Sequence, residues 1–293
     1  MGKFSDLILV SDFDQTMTNY ESQIPQSNLD AVQYFMEEGG IFTLATGRSL
    51  PMSRYRFLDV PVNAPLIVCN GAACYDPLTE ELLFCHPLPD DCMALMRHYE
   101  KTFPHLRLEI HCLDKHYIFH HDKDRDAYLE QQKAAYAYVP WEEVPHPQVK
   151  FCMYSPRSDI FSITADSEDG KFFAWLEQDA NERGGGSIIA LNSLPGLVEV
   201  QVANTSKGLA ARELAQMLKR KTLICAGDAI NDLSMLEEAD IAFVPTDCDE
   251  RVRDLGFRKA AACTDGTIAD VIRQLDLEIE NGLPRPVQVP VSQ

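Results

Sequence analysis

The chain has 293 residues, 45% of them hydrophobic, and a formal charge of −19. That length allows one large or two ordinary domains around a full-sized core. The charge excludes DNA, RNA and anionic membrane surfaces as natural partners, and no run of about 20 apolar residues is present to span a bilayer.

The first apolar stretch, Leu7 to Val10, is short and ends at Ser11 and Asp12. It lacks the form of a signal peptide and reads as a buried strand over Leu7–Asp12. A helix is expected from Ser27, where Ser27 and Asp30 have capping-box-like spacing and Leu29, Val32, Phe35 and Met36 repeat along one face. Gly39 and Gly40 stop it. Ile41–Ala45 is the next strand, a helix follows from Leu50, and Leu66–Cys69 is a third strand. The middle, from about His86 to Asn192, changes character. It has strand-like runs at Leu106–Cys112, Tyr117–His120 and Phe161–Ala165 and helical runs at Pro89–Phe103 and Glu168–Arg183, broken by Gly184–Gly186. The alternating pattern returns near Leu197. A helix from Ser206 carries Ala210, Leu214, Met217 and Leu218 on one face. The strand Thr222–Ala226, a helix over Leu233–Ala239, the strand Ile241–Val244 and a helix over Thr267–Leu275 follow. The tail after Glu278, with Pro284, Pro286 and Pro290, is expected to trail over the surface.

Strands alternating with helices predict an α/β fold: a Rossmann-like, mainly parallel sheet covered on both faces. The expected organisation is a core built from 1–85 and 193–293, with an inserted α+β domain at 86–192. The nine cysteines show no C-x-x-C spacing, and Cys69 and Cys225 sit in apolar runs. Reduced thiols in a reducing, cytoplasmic compartment are expected.

In such sheets ligands bind beyond the carboxyl ends of the strands. Four clusters fall there or at helix starts. Asp12-Phe13-Asp14-Gln15-Thr16 follows the first strand; two carboxylates so close are costly unless positive charge sits between them. Thr46-Gly47-Arg48 follows the second strand and precedes a helix, offering a hydroxyl and free N–H groups to an anion. Lys207 opens a helix, where a cation is unfavourable unless an anion is near. Gly227-Asp228-Ala229-Ile230-Asn231-Asp232 gathers hard oxygen ligands of the kind that suit Mg²⁺. Each has a bland alternative when taken alone: a surface D-x-D, an ordinary helix cap, a solvated lysine, a capping loop. An anionic substrate would meet the same repulsive field as nucleic acid. Local positive charge, most simply a divalent cation, must overcome it.

D-x-D-x-T, a Thr after the second strand, a Lys, and G-D-x-x-N-D, in this order, resemble the four signature motifs of the haloacid dehalogenase superfamily. Asn70-Gly71-Ala72, Ser206-Lys207-Gly208 and Asp265-Gly266-Thr267 resemble its Cof-like subfamily, in which a large α/β (C2-type) cap is inserted where the unmatched middle lies. Gln15 departs from the usual Gly. The resemblance implies a Mg²⁺-dependent phosphatase of small phosphorylated metabolites, such as sugar phosphates. It implies Asp12 as nucleophile and Asp14 as general acid and base. Asp12, the Asp14 carbonyl, Asp228, Asn231 and Asp232 hold or orient the metal, and Thr46, Gly47 and Lys207 bind phosphate. Arg48 and Asn70 face the substrate, and the cap closes over the site. An Asp at position 14 favours a hydrolase or a phosphomutase; superfamily ATPases usually have Thr there and phosphonatases Ala. A phosphomutase and a non-catalytic phosphometabolite sensor are the alternatives. Of His116, His120 and His121, the first and second share a strand face. An exposed polar edge is favoured there over a second metal site. Oligomeric state is not legible.

Overall fold

The computed structural model describes residues 2–157 and 162–280. The chain opens with β1 (Leu7–Ser11), α1 (Gln26–Glu37), β2 (Ile41–Leu44), α2 (Leu50–Arg56), β3 (Leu66–Val68), β4 (Ala73–Asp76) and β5 (Glu81–Cys85). It continues through α3 (Cys92–Thr102), β6 (Arg107–Cys112), β7 (His116–Ile118), α4 (Lys123–Gln131), β8 (Tyr136–Tyr138), β9 (Gln148–Tyr154), α5 (Glu168–Gly184), β10 (Ile188–Leu194) and β11 (Leu197–Val202). It closes with α6 (Lys207–Met217), β12 (Thr222–Ala226), α7 (Leu233–Glu238), β13 (Ile241–Pro245), α8 (Glu250–Arg253), β14 (Arg258–Ala260) and α9 (Thr267–Glu280). The chain divides into two compact units. One contains 1–47, 58–83 and 206–293; the other contains 48–57 and 84–205.

Among the described residues the first unit holds a parallel sheet in the order β14-β13-β12-β1-β2. β1 lies between β12 and β2 and is buried along its whole length, as a strand covered on both faces must be. Its register sets Leu7 against Thr222 and Ser11 against Ala226 on one side, and Ile8 against Ile41 on the other. The carboxyl ends of β1, β2 and β12 therefore lie level. A smaller sheet, β3-β4-β5, adjoins through a parallel bridge between Ala45 and Ile67.

The second unit holds a sheet in the order β10-β11-β9-β6-β7-β8. Period-two alternation gives it two unlike faces. Leu108, Ile110, Phe151, Met153, Val198 and Val200 share an apolar core with α3 and α5. The alternate residues Glu109, His111, Lys150, Cys152 and Glu199 are polar or polarisable, yet equally buried.

Several expectations are corrected. The return to the first unit comes at Ser206, not at 193, because β11 pairs antiparallel with both β9 and β10. α1 starts after Pro25, and no side chain caps it. Asp30 instead accepts from Gln26 Nε2 at 2.8 Å, so the capping box does not form. No strand forms over 162–165, and Phe161 lies outside the described residues. The Thr164 carbonyl accepts from the Ser167 backbone at 3.1 Å and from its hydroxyl at 2.6 Å, which builds the N-terminal turn of α5. His116 is fully buried, because β7 is flanked by β6 on one side and β8 on the other and is no edge. His120 and His121 are exposed. The proline tail lies outside the described residues.

Candidate active site

The sheet register of the first unit brings three carboxylates to one place. Asp12 follows β1, and its N–H donates to the Ala226 carbonyl at 2.8 Å, tying it to the end of β12. Two residues beyond that end is Asp228, and Asp232 closes the single 3-10 turn Ile230–Asp232. Each of the three acids offers an oxygen within 4.8 Å of those of the other two, and all three are buried. Gly227 makes room: a Cβ there would meet the Asp232 Cβ at 2.5 Å. Asp232 is locked by accepting from the N–H groups of Asp228 (3.1 Å) and Ala229 (3.2 Å). Thr16 Oγ1 donates to Asp228 Oδ1 at 2.9 Å.

Lys207 is the cation of the group. Nζ donates to Asp12 Oδ1 at 2.5 Å and to Asp232 Oδ1 at 2.6 Å, and its side chain is fully buried. The anions that justify a lysine at a helix start are these two carboxylates. Its backbone is pinned from two sides. Ser206 Oγ caps α6 by accepting from Leu209 N–H. Gly71, at φ 96°, lets the turn after β3 press so close that a Cβ would lie 2.1 Å from the Ser206 carbonyl oxygen.

Thr46 and Asn70 are buried nearby in the chain path. Thr46 N–H donates to Ile67 O at 2.9 Å, and Asn70 N–H donates to Thr46 O at 3.0 Å. Gly47 has no Cβ to collide with Asn70 Oδ1, which would lie 2.7 Å away. Asp14 is partly buried, and Gln15 beside it is exposed with φ 59°, a conformation that favours the glycine it replaces. Asn231 is partly buried in the turn before Asp232. Arg48 belongs to the other unit, where its Nη1 donates to Gln132 Oε1 at 3.0 Å.

Three buried carboxylates against one ammonium leave the group short of positive charge. Burial, then the charge of Asp232, pushes Asp12 up to about 7 despite Lys207. Burial and the charges of Asp232 and Asp12 hold Asp228 well above the usual carboxylate range. Lys207 is raised, because Asp12 and Asp232 outweigh its desolvation. An all-oxygen donor set with excess negative charge fits a hard divalent cation.

Sequence reasoning missed a second group, Glu109, His111 and His116 in the second unit, whose ligand atoms also approach within 4.8 Å. Glu-x-His in a strand gives no distinctive signal.

A profile of the family described as haloacid dehalogenase-like hydrolase matches residues 9–255. YxeH from Bacillus subtilis (strain 168), named as a supposed phosphatase, is 23% identical over 286 residues, covering 92% of this chain and 98% of YxeH. The crystal structure of a haloacid dehalogenase-like hydrolase from Bacteroides thetaiotaomicron superposes with TM-score 0.75 at 19% identity, covering 92% of this chain and 98% of that one. The subclass IIB sugar phosphatase BT4131 superposes with TM-score 0.74 at 18% identity, covering 92% and 99%. No helix among the described residues is long and apolar enough to cross a membrane.

Proposed function

This chain belongs to the haloacid dehalogenase-like hydrolase family, and on that premise we propose that it is a phosphatase of small phosphomonoesters working through an aspartyl-phosphate. The observation that carries the reading is convergence: Lys207 bonds Asp12 and Asp232 at once, with Asp228 in the same cluster. The sugar phosphatase BT4131, of like fold, supports a sugar phosphate as the substrate class.

Asp12 is the nucleophile. Lys207 engages Oδ1, and Oδ2 is the oxygen assigned to attack phosphorus. The new Asp12 O–P bond forms as the ester P–O bond breaks, and Asp14 gives its proton to the departing alkoxide. Asp14, now a carboxylate, takes a proton from water. The water oxygen attacks phosphorus, releasing inorganic phosphate and restoring Asp12. Thr46, the Gly47 N–H and Lys207 bind the remaining phosphate oxygens, and Arg48 and Asn70 face the substrate. Mg²⁺ held by Asp12, the Asp14 carbonyl and Asp228, with Asn231 and Asp232 completing or orienting its shell, supplies the positive charge that offsets repulsion between carboxylate and phosphate.

The experiment is incubation with a panel of sugar phosphates, nucleotides, flavin mononucleotide and pyridoxal phosphate, with Mg²⁺ and with chelator, followed by acid quench. Free phosphate that requires Mg²⁺, and phosphate trapped on the wild type but not on Asp12→Asn, are expected. Normal turnover by Asp12→Asn ends the nucleophile assignment. An isomeric ester in place of free phosphate marks a mutase, and ligand binding without phosphate release marks a sensor.

A further inference from the structure

The buried group Glu109, His111 and His116 has the spacing of a metal centre, but its chemistry runs against one. Arg125 donates through Nη2 to Glu109 Oε2 at 2.8 Å and through Nε to Oε1, so the carboxylate is already neutralised. The two imidazoles stack with centroids 3.7 Å apart and 23° between planes. Their in-plane lone pairs run side by side and do not converge on one ion.

What the group does hold is Ser49. His116 Nε2 lies 2.5 Å from Ser49 Oγ, and neither side chain exposes any surface. Ser49 stands at the N-terminal cap of α2, where a serine normally accepts from a first-turn N–H. It makes no such bond here; its hydroxyl is committed to His116. His116 is in turn fixed by the stacked His111 and by Glu109, whose Oε2 lies 3.5 Å from Nδ1. Tyr154 Oη accepts from Arg125 Nη2 at 2.9 Å and holds the far end of the relay. The carboxylate favours the tautomer with its proton on Nδ1, so Nε2 accepts from the Ser49 hydroxyl. The order Ser–His–Glu also suits a nucleophilic serine, but full burial removes that reading. The neighbouring Arg48 is attached to the same unit through Gln132.

We infer that His116 is a positioning residue: acting through the Ser49 hydroxyl, it fixes the turn Arg48–Ser49 that directly follows Thr46 and Gly47, and so sets the phosphate affinity of that turn. The inference rests on the proposed reading of residues 46–48 as phosphate-binding.

The test measures calorimetric binding of inorganic phosphate to the full chain in Mg²⁺. Ser49→Ala and His116→Ala should each weaken binding about tenfold, the scale seen when an outer partner of a ligating residue is lost. The double variant should be no weaker than either single one, and His116→Gln, whose amide oxygen can accept from Ser49, should recover most of the loss. KM for an accepted ester should rise more than kcat falls. Additive losses, or unchanged phosphate affinity in Ser49→Ala while Thr46→Ala weakens it, overturn the inference alone. Unchanged affinity in Thr46→Ala removes the phosphate seat and the inference with it. If His116→Ala does not fold, Ser49→Ala, which loses only a hydroxyl, decides the matter.

Discussion

The chain buries two ionisable clusters and treats their charge in opposite ways. In the first unit, Asp12 and Asp232 share Lys207 with Asp228 beside them, and burial with mutual repulsion drives Asp12 and Asp228 up. In the second unit, burial would raise Glu109, but the Arg125 guanidinium and two imidazoles reverse it and hold the carboxyl well below its usual range. Lys150 pairs with Glu199 on the same sheet face. One cluster is left short of a cation and the other is complete. A fold that needed acids only for stability would finish both, which is why we propose the unfinished one as the place where a cation and an anion are received.

Lys207→Ala offers the largest way to break this contrast. It removes the ammonium bonded to both Asp12 and Asp232, and turnover should fall about 10³-fold with Mg²⁺ present. A loss below about tenfold in phosphate release would mean the lysine is only structural. Arg125→Ala attacks the completed cluster and should behave differently. It strands a buried Glu109 and should destabilise the second unit by about 3–5 kcal/mol. Denaturant titration followed by Trp141 and Trp175, the two tryptophans of the chain and both in that unit, reads it directly.

Cation binding comes next in size. Mg²⁺ at about 100 times its Kd should stabilise the protein by about 2.7 kcal/mol, seen by scanning calorimetry as a raised transition. Asp228→Asn should lose that gain. In chelator it should be at least as stable as the wild type, because it relieves repulsion among three buried acids. Equal Mg²⁺ stabilisation of both proteins would contradict the ligand assignment.

The smallest effect is that of pH on the second unit. Burial holds His111 and His116 below their ordinary 6.5, and Glu109 lies below its ordinary 4.5. Once pH falls under those ordinary values, the unfolded chain binds more protons than the folded one, so stability rises with pH across that range. The stability present at neutral pH is lost first below 6.5 through the histidines, then below 4.5 through the carboxylate. The urea midpoint read from tryptophan fluorescence should therefore be lower at pH 5.5 than at 7.5; a midpoint that rises would reverse the argument.

Much of the first unit was legible because its signal is local. Continuous apolar runs such as Leu7–Val10 and Thr222–Ala226 mark buried parallel strands, and polar residues at their ends stand out against them. Lys207 was legible as an anomaly, a cation at a helix start, which its two carboxylates explain. The second unit hid more. Glu109 and His111 alternate with Leu108 and Ile110, the pattern of a strand with one wet face. Only tertiary packing makes that polar face dry. His116 was misread for the same reason: an edge strand and an interior strand of three residues look alike until their neighbours are known. The break at Ser206 was missed because β11 is apolar enough to serve either sheet.

The sheet order also governs how the protein is made. β1 meets β2, its near neighbour in sequence, early in synthesis, but its other neighbour, β12, is made only after the entire insertion. Until then its apolar flank has no mate and must be shielded from misassociation, while the inserted unit, contiguous except for α2, can condense first. The acidic cluster is therefore completed late in translation, when the segment through Asp232 has emerged and Asp12 gains its companions.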